Sequence, residues 1–225
     1  VDKAVDQAAL LARAELFSAF DAEAVQRIAQ SSRSVELQRN DVVFAEREEA
    51  DHLYVVDSGR IAIAKRSIDG RESVVALMEE GDLFGEMGLF DVDGEGRSAE
   101  ARALEPSVLV AVPYPAVRAA LEERPEVLWS VVTLLARRLR VTDAALADTM
   151  FLDVTGRTAK RLLELAGDAD EFILPVTQEE LAGMVGASRE RVNKAIAAFI
   201  RLDWLEQVDR RYRIVNREQL SRRAT

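Results

Sequence analysis

Between Ser34 and Pro113 the apolar residues fall into short, β-branched, partly alternating runs. These are Val35/Leu37, Val42-Val43-Phe44, Leu53-Tyr54-Val55-Val56, Ile61/Ile63, Val74-Val75/Leu77 and Val108-Leu109-Val110-Ala111-Val112. Turn signals separate them at Ser58-Gly59, Asp69-Gly70, Gly81-Asp82 and Glu105-Pro106. Asp69-Gly70 is the strongest, because a two-residue hairpin needs positive φ at both central positions and these residues tolerate it. Many short strands with no long helix between them predict an antiparallel sandwich or barrel. Ahead of it, residues 2 to about 30 read as two short helices, with Leu10, Leu11, Leu16 and Phe17, then Val25 and Ile28, at helical spacing.

The period changes after Pro125, where one long helical pattern runs to about Met150. Leu128, Val132, Leu135, Leu139, Thr142, Leu146 and Thr149 recur at alternating steps of four and three, a heptad seam. Such a seam predicts a helix that pairs with a second chain; the alternative is one amphipathic helix packed on its own domain. Thr142 is a polar group in that seam, which costs stability unless something there uses it. A further helix is expected from Val154 to about Gly167. Thr177 and Glu180 have capping-box spacing, so a helix starts at Gln178 and ends at Gly186, and Ser188 caps the next one, which runs to about Arg201. Two short β-runs follow, 204–208 and 212–215, joined by Asp209-Arg210-Arg211. The expected fold is α+β: a sandwich over 1–125, a dimerisation helix over 126–150, and a helix-turn-helix with a basic wing over 151–225.

Composition narrows the chemistry. The 225 residues are 48 % hydrophobic and 31 % charged, the balance of a globular chain with a packed core. No apolar run is long enough to span a bilayer, and Val1 to Asp6 lacks the basic start and apolar stretch of a signal peptide, so a cytoplasmic protein without membrane contact is expected. There is no Cys and one His, His52, which removes disulfides, thiolate catalysis, Cys-ligated metals, His-pair metal sites and His-based triads. Redox or haem sensing is disfavoured for the same reason, no metal ligand or catalytic residue is nominated, and His52, at a strand start, is expected to be structural.

The formal charge of −10 is unevenly spread: residues 1–149 carry 17 basic and 28 acidic side chains, whereas 150–225 carry 13 and 12. A nucleic-acid-binding face is therefore expected only in the C-terminal segment, where Arg210, Arg211, Arg213, Arg217, Arg222 and Arg223 cluster. The alternative is a solvated tail.

The segment Phe84-Gly85-Glu86-Met87-Gly88-Leu89-Phe90, followed by Arg97-Ser98-Ala99, resembles the phosphate-binding cassette of cyclic-nucleotide-binding domains. The whole chain is similar in order and length to the cAMP receptor protein (catabolite activator) and FNR-type family of bacterial transcription regulators. Arg137-Arg-Leu-Arg-Val-Thr142 and Phe151-Leu-Asp-Val-Thr-Gly-Arg157 resemble that family's dimer helix and hinge, and Val185-Gly-Ala-Ser-Arg-Glu-Arg-Val192 resembles its recognition helix. The resemblance implies a jelly-roll sandwich and a winged helix-turn-helix. It also implies cAMP as allosteric effector, a homodimer, double-stranded DNA and RNA polymerase as partners, and no enzymatic activity. It carries Glu86 to the ribose 2′-hydroxyl, Arg97 and Ser98 to the cyclic phosphate, and Thr142 with Asp143 to the purine, with Gly85 and Met87 completing the site. For DNA it nominates Gln178, Ser188, Arg189, Glu190, Arg191, Lys194 and Arg211, and a TGTGA-like inverted repeat.

The residue types fit that reading. A cyclic nucleotide needs close backbone approach (Gly85, Gly88), a cation (Arg97), a hydroxyl donor (Ser98) and an acceptor for the ribose hydroxyl (Glu86). The bland alternative is a structural Glu86–Arg97 ion pair. Three departures stand out: the loop Asp91-Val-Asp-Gly-Glu-Gly96 puts three carboxylates near an anion site and is expected to weaken it, position 143 is Asp, and Arg191 replaces a small hydroxylic residue. A member of the family active without ligand, or with a different effector, remains the alternative function; a cyclic-nucleotide-controlled enzyme would need a catalytic set that the C-terminal segment lacks.

Overall fold

The N-terminal apolar stretch forms α1 (Gln7–Arg13), a 3-10 turn (Phe17–Ala19) and α2 (Ala22–Ser31). Both helices start on an aspartate whose carboxylate accepts a backbone N–H: Asp6 from Ala9 and Asp21 from Ala24. The computed structural model describes residues 6–67, 72–91 and 93–225. It divides into two units, Val1–Lys65 with Val75–Leu139, and Arg66–Val74 with Arg140–Thr225.

The expected runs become β1 (Arg33–Leu37), β2 (Val42–Phe44), β3 (His52–Ser58), β4 (Ile61–Arg66), β5 (Glu72–Met78), β6 (Leu83–Phe84), β7 (Glu100–Ala103) and β8 (Ser107–Pro113). They make two four-stranded sheets, β1-β8-β3-β6 and β2-β7-β4-β5, whose register pairs are antiparallel. Phe44, Tyr54, Val56, Ile61, Phe84, Leu109 and Ala111 form one buried cluster of the sandwich. Leu53, Val55, Val110 and Val112 belong to a second, under α1, α2 and the helices that follow β8. Both faces of β3 are covered, which is why it reads as an unbroken apolar run. The Asp69-Gly70 turn lies outside the described residues.

Two features were not expected after β8. Residues 114–123 form α3 (Tyr114–Glu123), with Tyr114, Val117, Ala120 and Leu121 buried, and a 3-10 turn (Pro125–Val127) precedes the long helix α4 (Leu128–Phe151). α4 has two apolar faces. Val131 and Leu134 are buried, whereas Leu128, Val132, Leu135, Leu139 and Leu146 of the heptad seam are between 38 % and 61 % exposed.

The second unit contains α5 (Val154–Ala166), β9 (Glu171–Ile173), α6 (Gln178–Val185), α7 (Arg189–Arg201), β10 (Leu205–Val208), β11 (Arg211–Ile214) and α8 (Arg217–Arg223). The sheet order is β10-β11-β9, with Gln207, Tyr212 and Phe172 in one row across it. Leu162, Leu181, Val192, Phe199, Tyr212 and Leu220 are almost wholly buried. The helix-turn-helix expectation holds in detail: Thr177 and Glu180 form the capping box, Gly186 ends α6 in the left-handed conformation, and the Ser188 hydroxyl accepts from Arg191 N.

Neither β9 nor α8 was expected, and α8 changes the account of the basic cluster. Arg217 donates to Gly167 O at 2.9 Å and Ala169 O at 2.6 Å and pairs with Asp170, Arg222 pairs with Glu218, and Arg223 pairs with Asp153. Arg210 donates to Leu174 O and Arg213 pairs with Glu206. Much of that charge holds the unit together instead of forming one continuous basic face. Asp153 also caps α5, accepting from Gly156 N at 2.8 Å; this bond first, and Arg223 second, hold its carboxyl below the usual 3.8. The contribution of Asp153 to stability is thus complete above about pH 4 and fades as acid protonates it.

Replacing Thr177 by Ala removes the hydroxyl that accepts from Glu180 N and should cost about 1 kcal/mol. Urea unfolding followed by fluorescence of Trp204, which stacks on Phe199, in a Trp129→Phe background reads this loss directly.

Candidate functional site

β6 pairs with β3 through Tyr54↔Phe84, and the chain leaves it through Gly85 at φ +79° into a 3-10 helix, Glu86–Phe90. A Cβ at Gly85 would stand 2.9 Å from Arg97 Nη1, in a left-handed backbone that side chains rarely adopt, so glycine is required here. Gly88 is required for another reason. A Cβ there would lie 2.4 Å from Ala50 Cβ and 2.7 Å from the Tyr114 hydroxyl, so the space it leaves is taken by the protein's own side chains.

Glu86 and Arg97 are the two charged residues buried beside this turn, 1 % and 4 % exposed. They do not form the structural pair with one another that was the bland alternative. Glu86 Oε1 accepts from Arg138 Nη1 of α4, whose Nη2 donates to Leu83 O, and Glu86 Oε2 has no hydrogen-bond partner. Arg97 Nη1 donates to Tyr114 Oη at 3.0 Å and Gly85 O at 3.2 Å, while the Tyr114 hydroxyl itself donates to Gly85 O. Its guanidinium carbon sits 4.1 Å from the centre of the Phe44 ring, with the Tyr54 and Tyr114 rings at 5.7 and 5.8 Å. Arg97 Nε is buried with no partner.

The nearest anion to Arg97 is Asp51, whose Oδ1 lies 3.8 Å from Nη2 but only 2.8 Å from His52 Nδ1. Burial pushes the Asp51 carboxyl up, but the His52 hydrogen bond and the His52 and Arg97 charges outweigh it, so the net shift is downward. Burial pushes the Tyr114 hydroxyl up to about 12, against the pull of Arg97, so it stays protonated and able to donate. His52 opens β3 and reaches the cradle through Asp51.

Ser98 and Met87 are exposed beside the buried arginine, Ser98 Oγ 3.5 Å from Met87 Sδ. Of the three carboxylates in the acidic loop, Asp91 is engaged within the loop itself. Asp91 turns onto its own loop, Oδ1 accepting from Asp93 N and Gly94 N and Oδ2 from Gly96 N. The Gly96 bond first, and the other loop amides, hold its carboxyl low against the upward push of burial. Arg138 and Tyr114, which hold Glu86 and Arg97, were not nominated from the sequence. Thr142 and Asp143 are exposed on α4, and they belong to the second unit.

On the second unit Ser188, Arg189, Glu190, Arg191 and Lys194 are all exposed on the first turns of α7, opposite the buried Val192, Ala195 and Ile196. Glu190 and Lys194 pair at 2.7 Å, and this bond lowers the Glu190 carboxyl. Gln178 is placed differently from a freely presented donor: its Nε2 donates to Tyr212 Oη at 2.6 Å, tying α6 to β11. A groove of about 350 Å³ nevertheless brings Gln178 and Arg189 together with Gln207 and Arg210 of the wing. Arg211 is exposed at the start of β11. Among the described residues no group of His, Cys, Asp or Glu has the arrangement of a metal site, and no helix is long and apolar enough to cross a membrane.

Residues 34–124 match the model of the cyclic nucleotide-binding domain, and residues 156–223 that of the Crp-like helix-turn-helix domain. The CRP-like cAMP-activated global transcriptional regulator of Mycobacterium tuberculosis is 39 % identical over 96 % of this chain and 98 % of its own. The chain belongs to the Crp family of transcription regulators. That is a family of regulators and not of enzymes. The cAMP-activated global transcriptional regulator CRP of Pasteurella multocida is 36 % identical over 66 % of this chain and 74 % of its own. Among solved structures, the c-di-GMP responsive global regulator CLP of Xanthomonas campestris superposes with a TM-score of 0.75 at 26 % identity, over 86 % of this chain and 99 % of that one. Two Crp-type modules therefore account for both the buried cradle and the exposed helix.

Within this Crp-family fold, Arg138→Ala would leave the Glu86 carboxylate buried without its cation. A stability loss of about 3 kcal/mol is expected, at the low end for a broken buried pair because Arg138 is itself 34 % exposed. Adding Glu86→Gln should recover most of it, and urea titration of the two single variants and the double variant gives the coupling.

Proposed function

We propose that the chain is a cAMP-responsive, homodimeric DNA-binding regulator whose first unit takes the nucleotide in the cradle around Gly85. One observation carries the ligand class. The cradle buries two unsatisfied polar atoms of opposite kind, an acceptor (Glu86 Oε2) and a cationic donor (Arg97 Nε). A ribose hydroxyl and a singly charged cyclic phosphate supply the missing donor and the missing anion. Ser98 adds a hydroxyl beside Arg97, and Gly85 and Met87 form the wall next to it. The names of the Mycobacterium and Pasteurella relatives support cAMP over other effectors. The name of the Xanthomonas structure keeps a cyclic dinucleotide as the second reading.

Homodimerisation is supported by the exposed seam Leu128, Val132, Leu135, Leu139 and Leu146 on α4. Thr142 in that seam and Asp143 beside it are assigned to the purine, partly from the second subunit, on the family resemblance. Effector binding then favours the arrangement of the two α4 helices that sets the paired recognition helices about one DNA turn apart, a population shift. The family resemblance further supports contact with RNA polymerase and a cytoplasmic location. A carboxylate only accepts hydrogen bonds, so Asp143 favours adenine, which presents an amine at its six-position, over guanine, which presents a carbonyl. The competing role is a surface pair with Arg140.

Calorimetric titration with cAMP, cGMP and cyclic di-GMP tests this reading. The parent should prefer cAMP, Arg97→Ala should lose affinity by several hundredfold or more, equivalent to about 3–5 kcal/mol for a desolvated charge pair, and Asp143→Asn should narrow the cAMP-over-cGMP ratio. An Arg97→Ala protein that binds cAMP as well as the parent removes the site assignment, and an unchanged ratio in Asp143→Asn removes Asp143 from the base contact.

α7 is proposed to enter the major groove from its N-terminal end, with Arg189 on a guanine and Glu190 on a cytosine amine. Lys194, Arg191, Ser188 and Gln178 stand beside them, and Arg211 of the wing is on the backbone. The half-site is TGTGA-like. In a binding selection Arg189→Ala should cost roughly 1–3 kcal/mol and relax one base pair, whereas Arg211→Ala should weaken all sequences alike and flatten the salt dependence.

A further inference from the structure

The cradle buries the arginine that the proposed function assigns to the phosphate. The Arg97 side chain is 3 % exposed, and the Nε edge that would face a phosphate is itself buried. A buried cation normally has a close, committed anion. Arg97 has none among the described residues: Glu86 is engaged by Arg138, and Asp51, 70 % exposed, stands closer to His52 than to Arg97. Apart from Asp51 at 3.8 Å, what holds the guanidinium is neutral, namely two oxygens, Tyr114 Oη and Gly85 O, and the faces of three aromatic rings. The Tyr114 hydroxyl is itself bonded to Gly85 O, and Tyr114 is buried at the start of α3.

We propose that Phe44, Tyr54 and Tyr114 form a resting cage for the Arg97 guanidinium, and that the Tyr114 hydroxyl sets how much effector is needed to draw it out beside Ser98. The inference rests on the reading of the cradle as a cyclic-nucleotide site. Neutral acceptors and ring faces satisfy the cation well enough to keep it folded inward, but less well than a phosphate oxyanion does. The observed affinity is then the intrinsic affinity multiplied by the fraction of molecules whose arginine has left the cage. Any change that weakens the cage without touching the phosphate contacts raises that fraction. Tyr114→Phe is such a change: it keeps the ring and removes the one side-chain acceptor from Nη1. This is opposite to what a residue that aims Arg97 at the ligand would do.

Tyr114→Phe is expected to bind cAMP about three- to tenfold more tightly than the parent, the size of one lost bond to a charged group partly replaced by solvent. Equal or weaker binding by the folded variant overturns the cage. A second measurement needs only the parent. The Nε–H resonance of Arg97, assigned by its loss in Arg97→Lys, should exchange slowly with water in the free protein and shift on adding cAMP. Exchange as fast as that of exposed arginines overturns the proposal even where Tyr114→Phe does not fold. A parent that binds no cyclic nucleotide but shows slow Arg97 exchange overturns the ligand reading, and with it the threshold role of Tyr114, while a binding parent with fast exchange overturns the cage alone.

Discussion

Two opposite charges lie inside one apolar sandwich and are kept from neutralising each other. Glu86 and Arg97 flank the same glycine turn, yet each is held by a group from elsewhere in the chain: Glu86 by Arg138 on α4, Arg97 by Tyr114 on α3. An isolated buried ion is costly, so each partner offsets part of the cost of burying its charge. The arrangement explains why the helices after β8 are part of the cradle. Without α3 the arginine loses its hydroxyl acceptor, and without the first three turns of α4 the glutamate loses its cation. A ligand that satisfies the two orphaned atoms therefore acts on α4 through the residue that Arg138 grips.

The strands were legible because one physical rule governs them: a side chain points to alternate faces, and in this sandwich a covered face is apolar. The helix-turn-helix was legible because its boundaries are written in local chemistry, in Thr177, Glu180, Gly186 and Ser188, that needs no distant partner. α3 and α8 were missed for opposite reasons. α3 carries helical spacing at Tyr114, Val117 and Leu121 but begins on a Tyr-Pro pair that reads as a break. α8 is seven residues long with one buried side chain, Leu220, and its arginines look like a solvated tail until Asp153 and Asp170 are brought beside them.

The residues of the cradle divide in the same way. Gly85, Glu86, Arg97 and Ser98 are near neighbours in sequence and announce one another. Arg138 did carry a signal: it follows Val131 and Leu134 at helical spacing on the buried face of α4, so an arginine stands where the inward stripe predicts an apolar residue. Adjacent Arg137, which pairs with Glu15, hides that oddity in a basic run. Tyr114 gave no comparable sign, since a tyrosine at the start of a helix is ordinary until its hydroxyl is seen beside a guanidinium.

The closure of α8 on α5 bears on how the second unit reaches its native state. α6 and α7 meet across a three-residue turn and can form from local contacts. The pairing of Arg223 with Asp153 joins residues 70 apart, and Arg217 with Gly167 residues 50 apart. Long-range closures carry the larger entropic penalty and come late. The helix-turn-helix should accordingly assemble before the first turn of α5 is locked, leaving the Asp153 cap among the last parts of this unit to become rigid.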